Sequence, residues 1–247
     1  QPRMGCPLHR LAGGYAGLSP VSAVEPGRCG ENWADCPTLA PQDGFDFACA
    51  GCGDCCRKRR DLVLSGYDLY RIARRLGLSP RIVASAFCKS YVAEVSCLPA
   101  LRLTPDPKTG NCRFFEGSAC AIHAARPLAC ALYPLGQSID TVTAKMEYYV
   151  QTPLCGARAG ESRTLQSYLD DAAITDRAGV DARWAIVCTQ ISRRLQAAGG
   201  AANPHFSAAV KRVERALYFD YDLGDEFYPQ FQQNIEILLP LLDTILK

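Results

Sequence analysis

The sequence predicts an α+β protein: a small cysteine-rich core, irregular or antiparallel β, flanked by helices and followed by a helical C-terminal half. Three observations carry that expectation. Cysteines crowd one stretch, with Cys49, Cys52, Cys55 and Cys56 close together and Cys112, Cys120, Cys130 and Cys155 following. Short strand-like runs separated by turn residues fill positions 92–122. From Ser162 onward, apolar residues recur at the period of amphipathic helices. The expected division is a Gly/Pro-rich arm (1–44), a cysteine-cluster metal-binding domain (45–160) and a helical region packed on it (161–247).

Composition narrows the function classes. With 247 residues and 48% hydrophobic content, the chain has enough apolar material for an ordinary globular core. A net charge of +2 supplies no bulk attraction to nucleic acid or anionic lipid, so neither is an expected partner. The longest apolar stretch, 235–246, is interrupted by Glu236, Pro240 and Asp243 and reads as an amphipathic helix rather than a membrane span. Fourteen cysteines set disulfides against metal binding. Disulfide scaffolds are characteristically short and loop-rich, whereas this chain has long helical segments that bury a core of their own. No apolar run follows a basic start within residues 1–25, so no secretory leader is expected. Met4 is the expected native start, with residues 1–3 an appendage. A cytoplasmic protein with metal-bound thiolates is the resulting expectation.

Taken in order, residues 1–44 favour turns and extended segments. Cys6, Cys29 and Cys36 lie there at spacings that match no chelating loop, and the glycines of LAGGYAG follow no predicted strand, which argues against a nucleotide loop. The cluster loop ends in Arg57-Lys58-Arg59-Arg60. Ser65-Gly-Tyr-Asp68 then has the spacing of a capping box and opens a helix through Leu69, Ile72, Ala73 and Leu76, stopped by Gly77. Ser79-Pro80 starts a second helix carrying Val83, Ala84, Phe87 and Cys88, the last read as a small core residue. Strands are expected at 92–98, 101–104, 112–115 and 119–122, with Cys97 in the first of them and outside the ligand set. Arg126-Pro127 begins a helical turn containing Cys130, ended by Tyr133-Pro134, and 146–152 returns as a strand before Cys155. Further helices are expected around Leu165–Ala172, Trp184–Leu195 with Cys188 in the core, Phe206–Leu217, and 235–246.

The cysteines carry the chemistry. A two-residue gap lets one turn present two thiolates to one ion, as in zinc sites. Cys49-x2-Cys52-x2-Cys55 with a remote partner is also the spacing by which bacterial ferredoxins hold an iron–sulfur cluster, which favours [4Fe–4S] over zinc. Neighbouring side chains of an extended segment diverge, so Cys55 and Cys56 would serve different metal positions, or one would be a spectator. Eight candidate ligands (Cys49, Cys52, Cys55, Cys56, Cys112, Cys120, Cys130 and Cys155) allow two four-thiolate sites, or one site with spares. Arg57 and the basic run after it offset thiolate charge, Arg126 is a donor to sulfur or a grip for an anionic group, and His123 hydrogen-bonds beside the site or serves as an alternative ligand. No catalytic residue stands out.

FACAGCGDCC, NCRFFEGSACAIHAARPLACALYP and the closing Cys155-Gly156 together resemble the YkgJ-type CxxCxxCC cysteine-cluster family, over about Phe47 to Gly156. The family's usual Cys-x-Ile-Tyr stands here as Cys120-Ala-Ile-His123. The resemblance implies a zinc- or iron-chelating centre. The same cysteine domain occurs in flagellin lysine N-methylases, which implies S-adenosylmethionine as a second cofactor and a protein lysine as substrate; a metal carrier or assembly factor is a further alternative. Under the methylase reading, Tyr218-Phe-Asp-Tyr-Asp222 would attract the lysine; the plainer reading is a solvated loop between helices.

Overall fold

The structure, a computed structural model, describes residues 38–48, 52–57, 62–117, 119–151, 158–159 and 163–247. Two short strands open it, β1 (Thr38–Leu39) and β2 (Phe47–Ala48). After the cysteine loop, β3 (Val63–Leu64) leads into α1 (Gly66–Leu76). The capping box read from the sequence is present: the Asp68 amide donates to Ser65 Oγ and the Ser65 amide donates to Asp68 Oδ2. Gly77 caps the other end. α2 (Pro80–Phe87) starts at Ser79, whose hydroxyl accepts the Ile82 amide, with proline at its first position.

The strands that follow depart from the expected boundaries. Cys88 is extended and begins β4 (Cys88–Val92), which pairs antiparallel with β5 (Pro99–Leu103). Residues 93–98, expected as strand, instead close that hairpin, with the Ala93 amide on Leu98 O and Cys97 in the left-handed region at φ 60°. Of segment 112–115 only Phe115 lies in a strand, β6 (Phe115–Glu116), which pairs with β7 (Ala119–Cys120), while Cys112 makes an isolated bridge with Pro105. α3 (Leu128–Leu132) carries Cys130 and stops at Tyr133, as Arg126-Pro127 and Tyr133-Pro134 predict. β8 (Leu135–Ile139), absent from the sequence reading because Gly136 and Gln137 interrupt its apolar pattern, pairs with β9 (Met146–Val150). β10 (Arg158–Ala159) pairs with β2.

The remainder is helical: α4 (Leu165–Asp171), α5 (Ala178–Ala197), α6 (Phe206–Glu214) and α7 (Phe227–Ile245). α5 buries Trp184, Val187, Ile191 and Leu195, the stripe seen in the sequence. α7 begins eight residues before the expected 235 and buries Phe227, Phe231, Ile235, Leu238 and Leu242. The segment 218–222 is a solvated loop only at Asp220 and Asp222, since Tyr218 and Tyr221 are buried. Residues 215–219 form a π-helical turn, Tyr218 donates to Leu64 O, Tyr221 donates to Ala216 O, and Asp220 pairs with Arg81 and Arg215. Gly66 lets this turn approach, since a Cβ there would collide with Leu217 O.

Two apolar clusters result. The larger joins α1, α2 and β5 to α5, α6 and α7, and the smaller joins Phe45, Phe47, Leu128, Leu132 and Leu135 to α4. Small antiparallel sheets with a helical C-terminal half make this an α+β fold. Among the described residues no helix is long and apolar enough to cross a membrane.

Candidate metal centre

The cysteine loop is shaped by Gly53. Its φ of 74° lies in the left-handed region that favours glycine, and a Cβ at this position would run into the Phe115 ring. Behind it, Asp54–Cys56 form a 3-10 turn in which the Cys56 amide donates to Gly53 O at 2.9 Å. A tight turn directs consecutive side chains differently from an extended strand. Cys55 and Cys56 therefore do not diverge: their Sγ atoms lie 3.9 Å apart. Two thiolates on one tetrahedral ion with bonds of about 2.3 Å stand about 3.8 Å apart, so this pair already has the spacing of neighbours on one metal.

The later cysteines reach this turn by separate routes. The Cys112 amide donates to Cys56 O at 2.9 Å, tying the backbone at Cys112 to the loop. Cys120, on β7, is the register partner of Phe115 on β6. The same Phe115 packs on Gly53 and lies 5.3 Å beneath the Arg57 guanidinium, itself paired with Asp54. Cys130 sits in α3, whose Leu128 amide donates to Asp68 Oδ1 at 3.0 Å.

Electrostatics shows which thiols share a neighbourhood. The Cys56 thiol is held far above its ordinary value, first by its contact with Cys55, then by burial, then by the charges of Cys55, Cys130 and Cys112. Burial raises Cys120 too, and Cys55 adds to it, while the Ile122 amide and Arg126 pull the other way. Cys55, Cys112 and Cys130 thus lie within electrostatic reach of Cys56, and Cys55 within reach of Cys120. Cys52 is half-buried in the same loop. Among the described residues, no three His, Cys, Asp or Glu side chains are close enough to hold a metal ion.

Cys49 and Cys155, both expected ligands, lie outside the described residues, as do Cys6, Cys29, Cys36 and the basic run from Lys58 to Arg60. Their neighbours in sequence are informative. Ala48 and Arg158 are partners in the β2–β10 ladder. The chain one residue before Cys49 and three residues after Cys155 is therefore held together.

Of the three residues expected around the sulfurs, Arg126 acts on Cys120 by its charge and contacts the His123 ring, which burial and Arg126 hold below the ordinary histidine value. Arg57 is engaged by Asp54 and Phe115 instead. Cys88 and Cys188 pack against the larger apolar cluster, and burial alone pushes each thiol up to about 12. Sequence reasoning passed over Gly53 and Phe115. Their signals were the glycine inside the CxxC spacing and the aromatic pair after Cys112.

The donor chemistry fits a metal. Soft thiolates gathered in a half-buried loop suit zinc or iron, and a cation there would reverse the repulsion that now raises Cys56. Residues 48–156 match the model of the CxxCxxCC family, described as "Putative zinc- or iron-chelating domain". No curated protein and no solved structure matches the chain. The stretch that is similar to this family contains all eight cysteines named as candidate ligands, from Cys49 to Cys155.

Proposed function

We propose that the protein holds a thiolate-bound metal on Cys55 and Cys56, with the remaining ligands drawn from Cys49, Cys52, Cys112, Cys120, Cys130 and Cys155 as those sulfurs close on the pair when metal binds. The single observation that supports this most is the 3.9 Å separation of the Cys55 and Cys56 sulfurs. In a four-iron cluster each cysteine binds a different iron, and its sulfurs stand further apart than two on one ion. The vicinal pair thus favours an ion bound by thiolates alone, with zinc and iron both suited to a four-sulfur site. A structural or carrier role follows from four-thiolate coordination, which leaves no open position for substrate.

The second reading keeps the iron–sulfur cluster, and the Cys49-x2-Cys52-x2-Cys55 spacing favours it. Nothing comparable supports the lysine methylase reading, since the acidic–aromatic segment that would attract a lysine is occupied: Tyr218 and Tyr221 are buried and Asp220 is paired with arginines. Anaerobic purification followed by metal and acid-labile sulfide analysis separates these readings. Zinc or iron without sulfide is the expected result. Iron with equimolar sulfide overturns the ion reading in favour of the cluster, and a chain that takes up neither metal overturns both.

A further inference from the structure

Between the two apolar clusters lies a buried charged group that the metal reading does not use. Arg177, at the entrance to α5, places Nη2 2.8 Å from Asp68 Oδ1. Its Nε and Nη2 donate to the two carboxylate oxygens of Asp181 at 2.6 and 2.8 Å. Side-chain exposures are 3% for Arg177, 1% for Asp68 and 5% for Asp181, so these charges are removed from water. The Tyr67 ring lies 5.2 Å from the guanidinium carbon.

Asp68 does more than accept from Arg177. Oδ2 takes the Ser65 amide and closes the capping box of α1, while Oδ1 takes the Leu128 amide across 60 residues of sequence. Leu128 is the first residue of α3, and its N-cap position is Pro127, which contributes no side-chain bond. The carboxylate therefore supplies from outside the acceptor that the start of α3 lacks. Cys130 stands two residues further along the same short helix.

We infer that Asp68, held in place by Arg177, is a positioning residue for the metal centre: it fixes the start of α3 and so aims Cys130 at Cys56. This rests on the metal reading given above. Its consequence is that the C-terminal helices belong to the metal site, because the guanidinium that fixes Asp68 comes from Arg177, beyond the 48–156 domain. A residue that orients a ligand typically changes metal affinity about 10–100-fold when replaced. A buried ion group serving stability alone would change the unfolding free energy and leave the affinity of the folded protein untouched.

The test uses the full chain and zinc, with a chromophoric chelator as competitor, at a temperature where circular dichroism shows each variant folded. Asp68→Asn should weaken zinc binding by about 10–100-fold. Ile191→Ala, a core truncation on α5, should lower thermal stability and leave zinc affinity unchanged. Equal zinc affinity in Asp68→Asn and wild type overturns the positioning role, whereas a wild type that binds no zinc or iron overturns the metal reading itself. Should Asp68→Asn not fold, amide exchange in the wild type decides the matter. By linkage, metal loading must slow exchange of the Leu128 amide, and an unchanged rate overturns the inference.

Discussion

Cys56 and Cys188 are the same residue type in two regions built on different physics. Cys188 lies on a twenty-residue helix between fully buried Val187 and the stripe Ile191–Leu195, and its thiol is raised by burial alone. Cys56 lies in a three-residue turn with no buried residue, and its thiol is raised chiefly by other cysteines. Long helices gain enough from apolar contact to order themselves. The cysteine region has ladders only two residues long at β6–β7 and β2–β10, too short for independent stability. Further order comes from Phe115 on Gly53 and, in the proposed centre, from the Asp68–Arg177 group and a metal that turns repulsion among thiolates into attraction. One region uses sulfur as filler; in the proposed metal centre the other uses it as ligand.

The comparison predicts its largest contrast in a pair of serine substitutions. Cys56→Ser should lose the metal it helps to hold, read as metal per chain after dialysis, because a hydroxyl is a poor replacement for a soft thiolate. Cys188→Ser should keep the full metal content while losing about 1 kcal/mol of stability, because a hydroxyl replaces a partly buried thiol against the apolar cluster, measured by denaturant unfolding. Equal metal content in both variants would break the distinction.

That contrast also marks how far the sequence could be read. The helices were legible because each depends on a local signal: Ser65 and Asp68 three residues apart, Ser79 before Pro80, an apolar stripe from Trp184 to Leu195. Spacing alone nominated the ligand candidates. What stayed hidden depends on contacts between distant positions. Asp68 was readable as a cap but not as the acceptor for Leu128 or the partner of Arg177, which lie 60 and 109 positions away. The relation between Cys55 and Cys56 was read as divergent because an extended loop was assumed. The left-handed Gly53 and the turn behind it bring the sulfurs together instead. The expected strands over 93–98 and 112–114 failed similarly, since short apolar runs carry no period long enough to separate strand from turn.

A second experiment acts on the helical side. Ile191 is fully buried in the larger cluster, and Ile191→Ala should cost about 2–5 kcal/mol through lost contacts and the cavity left behind. Unfolding followed by far-ultraviolet circular dichroism measures the loss. Metal content of the folded protein should not change, and a parallel loss of metal would show that the two regions are not energetically separable.

On the cysteine side, Gly53→Ala should have a smaller effect on folding and a larger one on the metal. The left-handed backbone costs a side chain about 1–2 kcal/mol, and the added methyl would displace Phe115. Because that displacement moves the turn carrying Cys55 and Cys56, the variant should release its metal to a chelator faster than wild type at equal fraction folded. Unchanged release kinetics would remove Gly53 and Phe115 from the account of the site.

The smallest expected effect concerns His123, at the margin of the cysteine region. Burial and the neighbouring Arg126 lower its proton affinity in the folded chain below the ordinary value of 6.5. Above about 6.5 the ring is neutral in both folded and unfolded states, and it contributes no pH dependence. As the pH falls below 6.5 the unfolded chain takes up a proton that the folded chain resists, so stability declines until the pH passes the lower folded value. Denaturant midpoints at pH 7.5 and pH 5 should therefore differ more for wild type than for His123→Gln, in which this contribution is gone. The ring is largely exposed, so the difference will be slight; identical pH dependence in the two proteins would show that neither burial nor Arg126 lowers the proton affinity of the ring.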